Sequence, residues 1–287
     1  MIKKRFRVIS LSGLAISVMI FLIFSCGPSR HNNNNGGGGS QGTTLKPFPP
    51  PTGNEGSITG VIKFDGTPPA PKRIDMSGDA VCAGSPGEKT TDDVVVTDGK
   101  LANVLVYVTG GKLADYSFPV PSDPVVLDQQ GCRYHPRILG MQTGQALKVT
   151  NSDDTNHNIH PTPAKNADWN QSQAPKGAPF EKKFANAEIL IPVKCNQHNW
   201  MKAHIGVLDH PFFAVTAKDG TFTIKNVPTG QYTVVVWHER GDKGTEKTAS
   251  ITIGAKETKT QDFSFGVGDV ASAGPAHLKV ETALILP

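Results

Sequence analysis

Three side chains that could bind a metal ion lie close together in the stretch VKCNQHNWMKAH. They are the thiol of Cys195, the imidazole of His198 and the thioether of Met201. Thiolate and imidazole ligands together suit a soft or borderline transition metal. Each residue could also fill a core, because a Cys-x2-His pair is a weak signal and single methionines usually pack against apolar neighbours. The elements around these residues decide between the two interpretations.

The segment that precedes the cysteine, NAEILIPVKC, has the alternation of a β-strand. Successive side chains of a strand point to opposite faces, which places Ile189, Ile191, Val193 and Cys195 on one face. We therefore expect Cys195 to point toward a core. The same alternation in HNIH makes His157 the inward-pointing imidazole.

Most of the remaining chain predicts short strands separated by turns. Runs such as SITGVIKF, VVVTDGKLANVLVYV and FFAVTAKDGTFTI contain or meet Asp-Gly turns, and they are typical of β-sandwiches. No amphipathic helix pattern follows the N-terminal apolar run. The sequence therefore predicts an all-β protein with two sandwiches, one inserted in the other or following it in series.

The spacing of the candidate ligands resembles the cupredoxin family of blue copper proteins. An HN pair at a strand end, followed later by Cys-x2-His-x2-Met, is similar to the amicyanin form of the copper-binding loop. The resemblance implies a cupredoxin-like Greek-key sandwich with one type 1 copper ion. It implies that this mononuclear centre is bound by His157, Cys195, His198 and Met201, and that Asn158 ties the two ligand loops together.

Such a donor set is suited to electron transfer. Two imidazoles and one thiolate form a trigonal site that accommodates both Cu(I) and Cu(II), and a weak axial thioether tunes the potential. Zinc is a poorer match, since structural zinc sites usually have four strong ligands. The sequence shows neither a candidate nucleophile nor an open metal position, so it does not predict an enzyme. By the same resemblance, Trp200 would lie in the surface patch where a redox protein such as a cytochrome docks.

A second resemblance concerns the C-terminal strands. The stretch FFAVTAKDGTFTIKNVPTGQYTVVVWHE resembles the carboxypeptidase regulatory-like domain, a small transthyretin-type sandwich. The implied organisation is a first part of this sandwich at 57–112, the cupredoxin-like domain at 113–210, the second part at 211–265 and a tail at 266–287. Two alternative functions follow: a carbohydrate- or envelope-binding sandwich on a structural cupredoxin scaffold, or copper storage and delivery.

The N-terminus has the layout of a secretory signal. A basic start precedes an apolar run that ends in IFSC, which resembles a bacterial lipobox. The resemblance implies a signal peptide at 1–26 and lipidation of Cys26, while an uncleaved membrane anchor is the alternative. Residues 27–56, rich in Asn, Gly, Ser and Pro, predict a flexible tether. Either anchor would place the protein at the periplasmic side or the surface of a bacterial envelope.

Charge and cysteine content limit the possible partners and pairings. The net charge of +4 comes from four basic residues of the signal, since removing them from 29 leaves 25, equal to the 25 acidic residues. A neutral chain of this kind does not predict a nucleic-acid partner. Outside the cytoplasm a disulfide is expected. If Cys195 binds a metal, Cys82 and Cys132 are left to pair, but Cys195 paired with either of them remains open.

Overall fold

The computed structural model describes residues 45–240 and 244–271. The predictions for the signal peptide, for Cys26, for most of the tether and for residues 272–287 lie outside this part of the chain. Within it, no helix is long and apolar enough to cross a membrane. The prediction of an all-β fold is confirmed. The described helical segments are short: α1 (Ala80–Gly84), α2 (Val267–Val270) and a 3-10 turn at Leu113–Asp115.

Strands are numbered in chain order, and the first sandwich is built from both ends of the described chain. Its four-stranded sheet has the order β16 (Phe213–Val215), β5 (Leu105–Thr109), β18 (Gly230–His238), β19 (Thr245–Ile253). Its second sheet has the order β17 (Thr221–Val227), β2 (Gly56–Asp65), β4 (Lys100–Leu101), β3 (Val96–Thr97). Two further strands pair with β2 in parallel: β20 (Thr258–Thr260) and β21 (Phe263–Gly266). A separate small pair joins β1 (Lys46–Pro47) to β6 (Tyr116–Ser117).

The second sandwich is formed by the middle of the chain. One sheet has the order β13 (Phe180–Lys182), β10 (Leu147–Asn151), β7 (Val125–Gln130), β8 (Arg133–His135). The other has the order β12 (Gln171–Gln173), β11 (His157–Pro161), β14 (Glu188–Lys194), β15 (Lys202–Leu208), β9 (Ile138–Gln142). Because β5 precedes these strands and β16 follows them, the second sandwich is inserted in the first.

Turn chemistry explains the local pairing of β3 with β4. Asp98 and Gly99 have positive φ angles of 49° and 69°. Two residues with positive φ form the type I′ turn that matches the twist of a tight hairpin, and Asp-Gly is among its preferred sequences. The hairpin registers Val96 opposite Leu101.

Each sandwich has its own apolar core, and a third cluster joins them. The second core contains both Cys195 and Met201. The joining cluster is made of side chains from both sandwiches: Leu105, Tyr107, Ile138, Leu190, Leu208, Val235 and Trp237. The contact is close, because a Cβ added to Gly206 would lie 2.6 Å from Cδ2 of Leu105. The sandwiches therefore pack directly on one another through β5, β9 and β15.

Two details differ from the sequence predictions. A β-bulge interrupts β14 between Glu188 and Ile191, and Leu190 has a φ of 70°. The bulge breaks the expected alternation, so Ile189 packs against the joining cluster and not on the face of Cys195. In addition, the segment at 73–91, which falls within the range assigned to the first sandwich, contributes Met76 to the core of the second.

Candidate metal centre

The strands of one sheet bring the candidate ligands together. His157 begins β11, Cys195 follows β14 directly, and Met201 precedes β15. Because β11 and β14 are paired antiparallel, with His160 opposite Lys194, the start of β11 lies near the end of β14. The turn that carries Cys195, His198 and Met201 is closed by its own backbone, as the Cys195 N–H donates to Met201 O at 3.3 Å.

Three donor atoms converge at this point. Nδ1 of His157 lies 2.9 Å from Nδ1 of His198, and Sγ of Cys195 lies 3.9 Å from the latter. The three atoms all lie within 4.8 Å of one another, a spacing that fits the coordination of a single ion. All three residues are buried, and Cys195 is the free cysteine among the described residues. Met201 is buried in the same core cluster.

Asn158 connects the two segments that carry the ligands. Its Oδ1 accepts the backbone N–H of Asn196 at 2.6 Å and the thiol of Cys195 at 3.2 Å. Its own carbonyl oxygen accepts the hydroxyl of the buried Tyr134 at 2.5 Å. The side chain therefore ties the end of β14 to β11.

The protons on the two imidazoles can be assigned from their outer neighbours. Nε2 of His157 lies 2.8 Å from Oδ2 of Asp153, and Nε2 of His198 lies 3.2 Å from Oδ2 of Asp79. An ionised carboxylate only accepts, so each Nε2 carries a proton, and in a neutral ring Nδ1 then has a lone pair. With both rings neutral, two lone pairs would face each other across the 2.9 Å between the two Nδ1 atoms. A bound cation satisfies both, so the residues present fit a metal ion.

Two shifted pKa values concern the protonation of Asp79 and His157. The hydroxyl of Thr155, together with two backbone amides and His198, lowers the pKa of Asp79 to about 2 despite partial burial. Burial lowers the pKa of His157, although Asp153 opposes the shift. At neutral pH the carboxylate of Asp79 is ionised and the His157 ring is neutral, which is the form that binds a metal.

The outer edge of His198 is covered, although the resemblance implies a surface patch at the neighbouring Trp200. His198 is only 5% exposed. Asp79 contacts its Nε2, and Sγ of Cys82 lies 3.8 Å from the same atom. Cys82 and Cys132 form a disulfide. Of the pairings considered from the sequence, this is the one in which Cys195 stays free. The segment that carries Asp79 and α1 is thus bound covalently beside the candidate centre.

Trp200 is partly exposed and lies against the same histidine. Its ring centroid is 5.0 Å from that of His198, and its indole N–H donates to Cys132 O at 3.1 Å. It lines a cleft of about 630 Å³ together with Lys194 and Lys202 of the second sandwich and Glu239 of the first. The indole therefore lies between a buried candidate ligand and an open cleft.

Sequence reasoning did not identify the two aspartates. Asp153 precedes His157 by four residues, so a search for carboxylates near each candidate ligand would have found it. Asp79 has no such signal, because it reaches His198 only through the fold of a distant segment.

Comparison with a family model gives a partial match. Residues 187–261 match the family described as polysaccharide lyase family 4, domain II, an fn3-type model. The match runs from β14 of the second sandwich to β20 of the first. It covers a minority of the chain, and it is a different family from the regulatory-like domain expected above. Comparison with curated proteins finds no match.

Solved structures that resemble parts of the chain are copper proteins by their descriptions. A variant of amicyanin in its reduced Cu(I) form at pH 4 is 19% identical, with a TM-score of 0.27, over 31% of this chain and 85% of that one. A purple cupredoxin from Nitrosopumilus maritimus is 20% identical, with a TM-score of 0.25, over 29% of this chain and 97% of that one. The copper-containing nitrite reductase of Thermus scotoductus SA-01 is 15% identical, with a TM-score of 0.28, over 47% of this chain and 27% of that one.

Proposed function

We propose that this protein binds one copper ion and carries single electrons between redox partners outside the cytoplasm. The observation that supports it is the convergence of the Nδ1 atoms of two imidazoles with a free, buried thiol. Copper held by this set would supply one-electron chemistry, since trigonal His2Cys coordination with a weak axial thioether accommodates both of its oxidation states. Met201, buried in the same core cluster, would supply the weak thioether ligand.

The chain's own residues would hold the candidate ligands in the same positions in both oxidation states of the copper ion. Asn158 fixes the thiol, the closed turn fixes His198, and β11 fixes His157. Burial of both imidazoles excludes water from the donors. A site that is already arranged needs little rearrangement when its charge changes, which favours fast electron exchange over catalysis at an open position. We therefore propose a non-enzymatic role.

The location and the partner are also proposed. The apolar N-terminal run ending at Cys26, with the following tether, supports a lipid-anchored protein of the bacterial envelope. The disulfide between Cys82 and Cys132 is consistent with an oxidising compartment. We assign Trp200 to the docking of a redox protein such as a cytochrome, because its indole lies between His198 and a cleft.

The first experiment is a titration of the chain from residue 27 with Cu(II), followed by visible and electron paramagnetic resonance spectra. We expect an intense thiolate-to-copper absorption band at one equivalent, absent from Cys195→Ser. His160→Ala is the matched control, because His160 is also on β11 but contacts the side chains of Asp168 and Asn196 and none of the donor atoms. A colourless complex, or a band that survives in Cys195→Ser, would contradict the proposal.

Electron exchange tests the assignment of Trp200. Trp200→Ala is expected to retain copper and its spectrum while the rate of exchange with a soluble cytochrome falls. Copper loss would instead give Trp200 a role in holding the centre. An unchanged rate with an unchanged spectrum would mean that partners dock elsewhere.

A carbohydrate-binding role is the second candidate, and one feature of the first sandwich favours it. A cavity of about 580 Å³ is lined by Phe48, Tyr116 and Tyr232 together with Pro49 and Pro50. Aromatic rings offer apolar faces with polar tips, a combination that suits sugars. Retention on a polysaccharide gel by both the natural chain and Cys195→Ser, lost in Tyr116→Ala, would support this role independently of copper.

A further inference from the structure

Each of the two candidate histidine ligands has a carboxylate of its own on the side opposite the donor atoms. Asp153 accepts from Nε2 of His157, and Asp79 accepts from Nε2 of His198. The two aspartates come from different parts of the chain, one from the loop before β11 and one from the cap of α1. The same carboxylate–imidazole contact therefore occurs twice, on two segments that are distant in the sequence.

The two carboxylate oxygens of Asp79 have different hydrogen-bond partners. Oδ1 accepts the N–H groups of Val81 and Cys82, at 2.8 Å and 3.1 Å, as the cap of α1. Oδ2 accepts the hydroxyl of Thr155 at 2.7 Å and faces His198. Capping alone needs only one oxygen, so the contacts of Oδ2 are additional to the local fold.

Asp153 is held in a corresponding way. Its Oδ1 accepts the N–H of Gly131 at 2.7 Å, and its Oδ2 accepts that of Cys132 at 2.8 Å. The amide of one half-cystine thus holds the partner of His157, and the amide of the other, Cys82, holds the partner of His198. The disulfide joins the two half-cystines. The contacts therefore form a closed ring: each half-cystine holds an aspartate, each aspartate contacts a histidine, and the two histidines meet at their Nδ1 atoms.

We propose that Asp79 and Asp153 are positioning residues for the metal centre, fixing both imidazoles with Nδ1 toward the ion and lowering its reduction potential by their negative charge. The inference rests on the proposed function. A carboxylate on the outer nitrogen fixes the tautomer and the ring orientation, and it raises the basicity of the ligand. Two nearby negative charges also favour the more positively charged, oxidised form of the ion.

The first test uses the metal-free full chain, so it does not depend on copper binding. Nitrogen-proton NMR correlations of the histidine rings are expected to show the Nε2–H tautomer for His157 and His198. Asp153→Asn should change the tautomer population of His157, and Asp79→Asn that of His198. Asp79→Asn is expected to fold, because asparagine caps helices about as well as aspartate.

The second test measures the copper-loaded protein by affinity and by reduction potential. Each Asp→Asn change is expected to weaken Cu(II) binding by about 10- to 100-fold, the usual effect of removing such a partner. The potential should rise in each variant and rise further in the double variant. Asp168→Asn is the matched control, because Asp168 contacts the ring of His160 at 3.1 Å outside the donor set. It should change neither quantity.

The outcomes separate this inference from the proposed function. Folded variants with natural tautomers and an unchanged potential would overturn it even if copper binds. A chain that binds no copper but shows the expected tautomer changes would overturn the electron-carrier proposal and keep the positioning role. If Asp153→Asn does not fold, the test of the inference rests on Asp79→Asn and on Thr155→Val, both of which act on the partner of His198. Thr155→Val removes the hydroxyl on Oδ2 of Asp79 without touching the cap, and a potential identical to that of the natural protein would count against the inference.

Discussion

Replacing Arg137 tests whether the two sandwiches are held together by a buried ion network. Its guanidinium makes two bonds to the carboxylate of Glu239 in the first sandwich, and its Nη1 lies 2.6 Å from Oδ1 of Asp92. The side chains of Arg137 and Glu239 are only 10% and 6% exposed. Arg137→Met keeps most of the volume but leaves Glu239 buried and without its cation.

The expected cost is large because it is the cost of an unpaired buried charge. Removing one partner of a buried pair destabilises by about 3–5 kcal/mol, whereas replacing both partners is often neutral. Arg137→Met should therefore lower the free energy of unfolding by about 3 kcal/mol or more, and Arg137→Met/Glu239→Gln should restore most of the loss. Lys63→Met is the control, since the Lys63–Asp262 pair is exposed and worth about 1 kcal/mol at most.

The loss of stability in Arg137→Met should also depend on pH. Burial already raises the pKa of Glu239, and Arg137 opposes that shift. Without the cation the pKa rises further above its unfolded value, so the folded variant binds the extra proton and its stability falls as pH rises. Urea unfolding at pH 5 and pH 8 measures this. A loss below about 1 kcal/mol, or one equal at both pH values, would refute the reasoning.

Three further predictions concern stability. Gly206→Ala should cost about 1–3 kcal/mol in urea unfolding, because its Cβ would lie 2.6 Å from Leu105, and Leu105→Val should relieve part of the cost. Burial lowers the pKa of both His238 and His204 to about 4, so the unfolded chain binds protons first and stability should fall as pH drops from 6.5 to 4. His238→Gln should reduce this dependence in urea unfolding without abolishing it. Replacing Cys82 and Cys132 by alanine opens a loop of 50 residues and should cost about 4 kcal/mol, an expectation that an unchanged melting temperature would contradict.

Local patterns in the sequence predict much of the fold and part of the site. Alternation placed His157 and Cys195 inward, and both are buried. The alternation failed at Ile189, because Leu190 adopts a positive φ that shifts the register. A non-glycine residue in that conformation has no sequence signal, and the packing of Leu190 against the other sandwich accounts for it.

The parts of the site that were not predicted are those that depend on tertiary structure. Asp79 belongs to a segment that the sequence assigned to the first sandwich, yet it contacts His198 of the second. Burial of His198 follows from the same segment. A family resemblance carries over ligands by their spacing, but it says nothing about a segment that this chain places over them. The exposure of a ligand is therefore a property that spacing alone cannot predict.

For the proposed electron carrier, the cover over His198 leaves the cleft between the sandwiches as the approach to the centre. With both imidazoles buried, a partner would approach the proposed centre through Trp200, which lines the cleft between the sandwiches. One wall of that cleft carries Lys194 and Lys202, and the other carries Glu239. A docking partner would thus contact the two lysines, because Glu239 is buried and paired with Arg137. Arg137 bonds to Glu239 across this cleft, so Arg137→Met should weaken partner binding as well as stability, and the rate of exchange with a soluble cytochrome would measure the effect.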